Sequence, residues 1–246
     1  MSITSRRSPQ SSGPVTLPLP RAILFDLDGT LADTAPDLAA AVNRLMVARG
    51  LEPTPYERLR PFASAGARGL IGAAFDLQPE DSGYEELRVA FLENYESRLA
   101  EESRLFAGIP ELLRALEQAD IGWGVVTNKA ARFTEPLIPQ IGLQHAGCVI
   151  SGDTAAHPKP HPAPLLEAAR RLGLAAADCW YVGDDLRDIQ AGRAAGMATV
   201  AAAWGYCGAL EPSTWEADAI VQTPAELLER IHGLLAASMQ GAIRFD

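Results

Sequence analysis

Two acids stand one residue apart at the end of an apolar run, Asp26 and Asp28 in "ILFDLDGTLADTAPDL", residues 23–38. Side chains two apart share a face of an extended segment, so these carboxylates crowd one another unless something compensates them. Other polar groups follow apolar runs in the same way: Thr127 and Asn128 after "GVV", Lys159 in the loop after "CVIS", and Asp184, Asp185 and Asp188 after "CWYV". Taken singly, an acid pair of this kind reads equally as a solvated turn or a helix cap. Taken as an ordered set, the four places assemble several acids, one lysine and a hydroxyl. Gathered carboxylates need a hard cation with oxygen ligands, and magnesium suits a site with few protein ligands that keeps waters and a phosphate oxygen. Lys159, as a point charge, and Thr127, through its hydroxyl, then face the remaining phosphate oxygens.

The elements that must position these groups follow from periodicity. Strand-like runs occupy residues 22–27, 123–127, 148–151, 179–182, 199–203 and, weakly, 219–221, and helix-period segments lie between them. Such alternation predicts an α/β fold with a parallel sheet and crossover helices, whose ligands bind beyond the carboxyl ends of the strands. Helices are expected from Pro110 to about Ala119, from Pro162 to about Leu172, and from Leu186 to Ala195, with Gly173 and Gly196 closing the last two. Almost a hundred residues separate the first two strands, and they read as helical. Thr34 to Arg49 is one segment; Thr54 with Glu57, and Ser82 with Glu85, have capping-box spacing ahead of two more. Tyr84, Leu87, Phe91, Tyr95 and Leu99 form one apolar face, read as core. The expected organisation is a flexible tail over 1–20, an α/β core over 21–34 and 105–246, and a helical insertion over 35–104.

Composition narrows the function. The chain has 246 residues, 48% hydrophobic and 21% charged, and a formal charge of −10. That balance speaks against a nucleic-acid surface, and no apolar run approaches the roughly 20 residues that span a bilayer. Cys148, Cys179 and Cys207 form no C-x-x-C pair and read as reduced core thiols of a cytoplasmic protein. The Ser- and Pro-rich first twenty residues lack the apolar segment of a signal peptide. A G-x-x-x-x-G-K-[ST] loop is absent. His157 and His161 flank Lys159, but Pro158, Pro160 and Pro162 rule out a helical metal pair there. The aromatic pair in "WGYCG", 204–208, reads as packing, with contact to the insertion as the alternative.

"DLDGT" (26–30), "VVTN" (125–128), "KPHP" (159–162) and "VGDDLRD" (182–188) resemble, in order, the four motifs of the haloacid dehalogenase superfamily of phosphohydrolases. The resemblance covers nearly all of Arg21 to about His232 and implies a Rossmann-like three-layer parallel sheet with a mobile helical cap. It makes Asp26 the nucleophile that forms an aspartyl-phosphate, and Asp28 the acid that protonates the leaving oxygen and then activates water. It assigns Mg2+ to the Asp26 side chain, the Asp28 backbone carbonyl and Asp184, and the phosphate oxygens to Thr127, the Asn128 region and Lys159. Asp188 supports the metal or Lys159; Asp185 contacts a metal-bound water or caps the following helix, the cap being favoured.

Within the superfamily, "GTLADTAPDL", "SAGARGL", "LFAGIPELL", "VTNK" and "YVGDDLRDIQAGRAAGM" resemble bacterial phosphoglycolate phosphatases. "WGVVTNK" and "VGDDLRDI" also resemble the phosphatase that acts on N-acetylmuramic acid 6-phosphate in cell-wall recycling. The expected partner is therefore a small phosphorylated metabolite bearing a carboxylate. Sugar phosphomutase and dehalogenase activities are the further alternatives, and Asp28 argues against the second. Arg68, among small neighbours in "SAGARGL", is the candidate for gripping the carboxylate with two bonds; a solvated surface arginine is the competing reading.

Overall fold

The computed structural model describes residues 17–208 and 210–242. Its centre is strand β1, Ala22–Phe25, whose four residues are all fully buried, as expected of a strand covered on both faces. A short β2, Ala32–Asp33, leads into helices α1 (Ala35–Ala48), α2 (Tyr56–Leu59), α3 (Gly66–Phe75) and α4 (Tyr84–Glu96). The chain returns through β3, Arg104–Leu105, which pairs antiparallel with β2. There follow α5 (Ile109–Gln118), β4 (Gly122–Val126), α6 (Ala131–Gln140), β5 (Val149–Ile150), α7 (Ala163–Leu172) and β6 (Cys179–Gly183). Then come α8 (Leu186–Ala195), β7 (Ala198–Ala202), β8 (Ala219–Val221) and α9 (Pro224–Ala242).

Six strands form one parallel sheet in the order β5-β4-β1-β6-β7-β8. The strand order turns at β1, which therefore has later strands on both sides. That is a topological switch point, where open α/β sheets place their ligand crevice. The expected α/β class and the expected strands hold to within a few residues at each end. Two helices escape periodicity. α6 contains Pro136 and Pro139, which mask its helical pattern, yet it buries Phe133, Leu137 and Ile138 against the core. α9 is amphipathic and docks Leu227 and Ile231 beside α5.

Between β2 and β3 the chain is helical, as read. α1 buries Leu38, Val42 and Leu45, and α4 turns Tyr84, Leu87, Phe91 and Tyr95 inward to meet it. Phe91 stacks on Tyr95, with centroids 6.4 Å apart, and Tyr95 meets Phe133 of α6 edge-on at 5.4 Å. The insertion thus rests on the sheet domain through an aromatic contact. Neither expected capping box forms. α2 is capped by Pro55, while Thr54 spends its N–H and C=O on Asn43 and its hydroxyl on Met46 Sδ. α4 begins after Gly83 in a left-handed turn, with no side-chain cap. The box that does form belongs to α8, where Asp185 is the N-cap and Asp188 reaches back to its N–H.

Of the expected flexible tail over 1–20, residues 17–20 are described. Leu17 is buried in the core, and Trp180 Nε1 donates to Pro18 O at 3.0 Å; residues 1–16 lie outside the described residues. The expected interval without strands also holds two short ones, β2 and β3. Two residues each are too few to show alternation, and their pairing makes the double crossing into and out of the helical insertion.

Candidate active site

Every candidate residue except Arg68 stands at or beyond the carboxyl end of a strand. Asp26 follows β1, Thr127 follows β4, Lys159 lies in the loop after β5, and Asp184 follows β6. Because β5, β4, β1 and β6 are adjacent in the sheet, the four chain-distant places become neighbours. Lys159 is their hub. It is buried, and its Nζ lies 2.9 Å from Asp26 Oδ1, 2.7 Å from Asp188 Oδ1, 2.8 Å from Tyr181 Oη and 3.1 Å from Val126 O. Burial alone lowers its pKa, but the Asp188 and Asp26 carboxylates outweigh it and hold the ammonium charged. Asn128 fixes the lysine's backbone from both sides: its Nδ2 donates to Lys159 O and its Oδ1 accepts from Lys159 N, each at 2.9 Å. Its side chain is thus a brace for Lys159, a role its place in the motif does not reveal.

Asp184 is fully buried. Thr30 Oγ1 donates to its Oδ1 at 2.8 Å and the Tyr206 N–H to its Oδ2 at 2.9 Å. Two glycines make room for it. A Cβ on Gly29, which has φ +85°, or on Gly205 would come within 2.2 Å of Asp184 atoms. Burial pushes the Asp184 carboxyl well above its usual range, with Asp26 and Asp188 adding to the effect. Asp26 is pushed up to about 7, chiefly by burial, with Lys159 opposing the rise and Asp188 and Asp28 adding to it.

Asp26, Asp184 and Asp188 bring carboxylate oxygens within 4.8 Å of one another. When ionised, three acids against one lysine ammonium leave an excess of negative charge in a buried, all-oxygen donor set. That set fits a hard divalent cation. Asp188 pairs with Lys159, one of its two expected roles, and also belongs to this cluster. Asp185 caps α8 and pairs with Arg187, as favoured.

Asp28 points elsewhere. Its Oδ1 accepts from Lys129 Nζ at 2.9 Å and from Thr34 Oγ1, and its side chain stands outside the three-acid cluster. Separate partners thereby relieve the crowding of Asp26 and Asp28: Lys159 for one, Lys129 for the other. Thr127 is buried, and its hydroxyl accepts from the Lys129 N–H at 3.1 Å.

The insertion closes over this edge. Ser64 Oγ donates to Asp184 Oδ2 at 3.4 Å, Arg187 donates to Ser64 O at 2.8 Å, and Arg60 lies 5.1 Å from the centre of the Tyr206 ring. Tyr206 therefore makes contact with the insertion, the alternative reading for that aromatic pair. Arg68 is exposed on α3 and lines, with Phe62, Gln78 and Arg187, a cavity of about 540 Å³. The structure does not bring it into contact with the acids. Arg187, the second cation of that cavity, escaped the motif reading because it sits inside "GDDLRD", where the acids draw attention. His157 and His161 are exposed loop residues with rings 4.6 Å apart. Cys148 and Cys179 are buried free thiols and Cys207 a partly buried one, all pushed up to about 11 by burial. Among the described residues no helix is long and apolar enough to cross a membrane.

The parallel sheet carries Asp26 at the end of its central strand, buried Lys159 beside it and a helical insertion overhead, an arrangement that suits a hydrolase. The chain belongs to the haloacid dehalogenase-like hydrolase family, whose model matches residues 23–202. It is 49% identical to a phosphoglycolate phosphatase of Xanthomonas campestris pv. campestris over 85% of this chain and 96% of that one. It is 44% identical to an N-acetylmuramic acid 6-phosphate phosphatase of Pseudomonas putida, over 87% and 97% respectively. In structure it resembles a predicted phosphoglycolate phosphatase from Haemophilus somnus, with a TM-score of 0.75 and 27% identity, covering 85% of this chain and 96% of that one.

Proposed function

We propose that the protein is a magnesium-dependent phosphomonoesterase of the cytoplasm that hydrolyses 2-phosphoglycolate to glycolate and phosphate. The observation that carries this reading is the convergence of Asp26, Lys159 and Asp184 beside a separately held Asp28. Asp26 attacks phosphorus in line, and the bond from phosphorus to the ester oxygen breaks with its electron pair on that oxygen. Asp28 gives this oxygen its proton, and glycolate leaves. Water then adds to the aspartyl-phosphate while Asp28 takes its proton. The bond between phosphorus and Asp26 breaks, and phosphate is released. Lys159 and Thr127 stabilise the charge spread over the equatorial oxygens. Asp26, Asp184 and the Asp28 backbone carbonyl would hold the cation, with Asp188 alongside, and the bound cation would screen the anionic nucleophile from the anionic phosphate. The helical segment over 35–104 acts as a cap on a core formed by 21–34 and 105–246.

Support for a carboxylated substrate comes from the Arg68 and Arg187 cavity at the seam of insertion and core. The relatives divide between two such substrates, and 2-phosphoglycolate is favoured by the relative with the higher identity of the two, 49% against 44%. The deciding experiment is phosphate release, with Mg2+, from 2-phosphoglycolate, N-acetylmuramic acid 6-phosphate and a neutral alkyl phosphate assayed side by side. The reading expects the highest kcat/KM for 2-phosphoglycolate. A clear preference for the amino-sugar phosphate would transfer the chain to the second activity.

A further inference from the structure

Among the described residues Lys129 is the one charged partner of Asp28, and no motif reading assigns it a task. It lies in the loop after β4, with its side chain only 6% exposed. Its backbone N–H is tied to Thr127 Oγ1 at 3.1 Å. Its Nζ lies 2.9 Å from Asp28 Oδ1 and 4.7 Å from the centre of the Tyr95 ring. Tyr95 belongs to α4 of the insertion, and its buried hydroxyl has no hydrogen-bond partner among the described residues. The Tyr95 ring is therefore a face that the insertion offers the ammonium. Thr34 Oγ1 donates to the same Oδ1. Both donors thus fall on one oxygen of Asp28, and the other is left without a protein donor among the described residues.

We propose that Lys129 is a positioning residue. It clamps Asp28 by Oδ1 against the Tyr95 face of the insertion, so that Oδ2 is presented to the leaving oxygen and then to the attacking water. The inference rests on the roles proposed above for Asp26 and Asp28. A lysine that bound phosphate would stand among Asp26 and Lys159; this one faces the acid and the insertion instead. Because Tyr95 completes the clamp, the insertion contributes to proton transfer as well as to enclosure.

p-Nitrophenyl phosphate separates the two chemical steps, since its leaving group departs without a proton, whereas hydrolysis of the aspartyl-phosphate still needs Asp28 as base. In Lys129→Met, a burst of about one p-nitrophenolate per active site should survive, followed by turnover lowered roughly 10²-fold, the scale of general acid–base catalysis. KM for 2-phosphoglycolate should stay within about threefold while kcat falls. In an Asp28→Asn background, Lys129→Met should cost no more than about twofold further, because the clamp has nothing left to position.

A lost burst, a risen KM with kcat kept, or an independent multiplicative loss beside Asp28→Asn would each overturn the proposal. If Lys129→Met does not fold, as judged by circular dichroism and thermal unfolding, Lys129→Gln keeps a donor and carries the same test with a smaller loss. Wild-type turnover of 2-phosphoglycolate by Asp28→Asn alone would instead remove the assigned roles themselves, and the clamp with them.

Discussion

At the scale of single residues, the site works by giving each charged group its own partner. Lys159 binds Asp26 and Asp188, Lys129 binds Asp28, and Asp184 lives on neutral donors in a space kept open by Gly29 and Gly205. Removing one member of such a set leaves a buried charge uncompensated, which costs more than the pair is worth. Arg68 is different, being exposed and outside the network. Arg68→Ala should therefore leave stability nearly unchanged and lower kcat/KM for 2-phosphoglycolate by about tenfold, the worth of a charge-assisted contact. A neutral alkyl phosphate measured in the same assay should be spared; equal losses on both would remove Arg68 from substrate recognition. The acids and Lys159 were legible because they follow apolar runs; Lys129 was given no role. The braces were not legible: Asn128 on the Lys159 backbone and Tyr206 on Asp184 act across the fold, through contacts that no local pattern encodes.

At the scale of elements, the β2 and β3 pair decides where the insertion sits. Asp37, at the start of α1, is buried and accepts from Glu102 N, Ser103 N and Ser103 Oγ, pinning the returning segment just before β3. Tyr206 Oη accepts from Thr34 N and Ala35 N and donates to Asp33 Oδ1, pinning the outgoing segment to the loop that holds Asp184. Asp37→Ala leaves buried donors unpaired and should cost on the order of 3 kcal/mol in a urea unfolding curve. A change under about 0.5 kcal/mol would show that the crossing holds without it. Strands and long helices were readable from period and punctuation. The capping boxes at Thr54 and Ser82 were read from spacing alone, and the chain chose Pro55 and Gly83 because neighbouring contacts claimed Thr54 and a left-handed turn suited the second start.

At the scale of the whole molecule, topology converts four distant stretches into one edge, and the acids gathered there should make it sensitive to pH and to a divalent cation. The Asp26 carboxyl has a pKa of about 7 in the fold, against an ordinary value of 3.8, and Asp184 is raised as well. Between those values the folded protein holds more protons than the unfolded chain, so stability is fullest below about pH 4 as far as these groups are concerned. It is lost as pH rises toward and through 7. With divalent cations removed by chelator, the contribution of these groups should lower the melting temperature between pH 5 and pH 8. Added Mg2+ should restore it most at the upper end, where the carboxylates are ionised. Equal Mg2+ stabilisation at pH 5 and pH 8 would contradict a site made of these acids; the Asp26→Asn and Asp184→Asn variants, followed in the same melts, separate their share from that of other groups.

The assignment of Asp26 as the nucleophile is the claim on which the rest depends, and phosphate release from 2-phosphoglycolate tests it most directly. With Mg2+ present, the wild-type protein should release phosphate and Asp26→Asn, still folded, should be slower by at least about 10³-fold. Equal turnover by the two proteins would contradict the account.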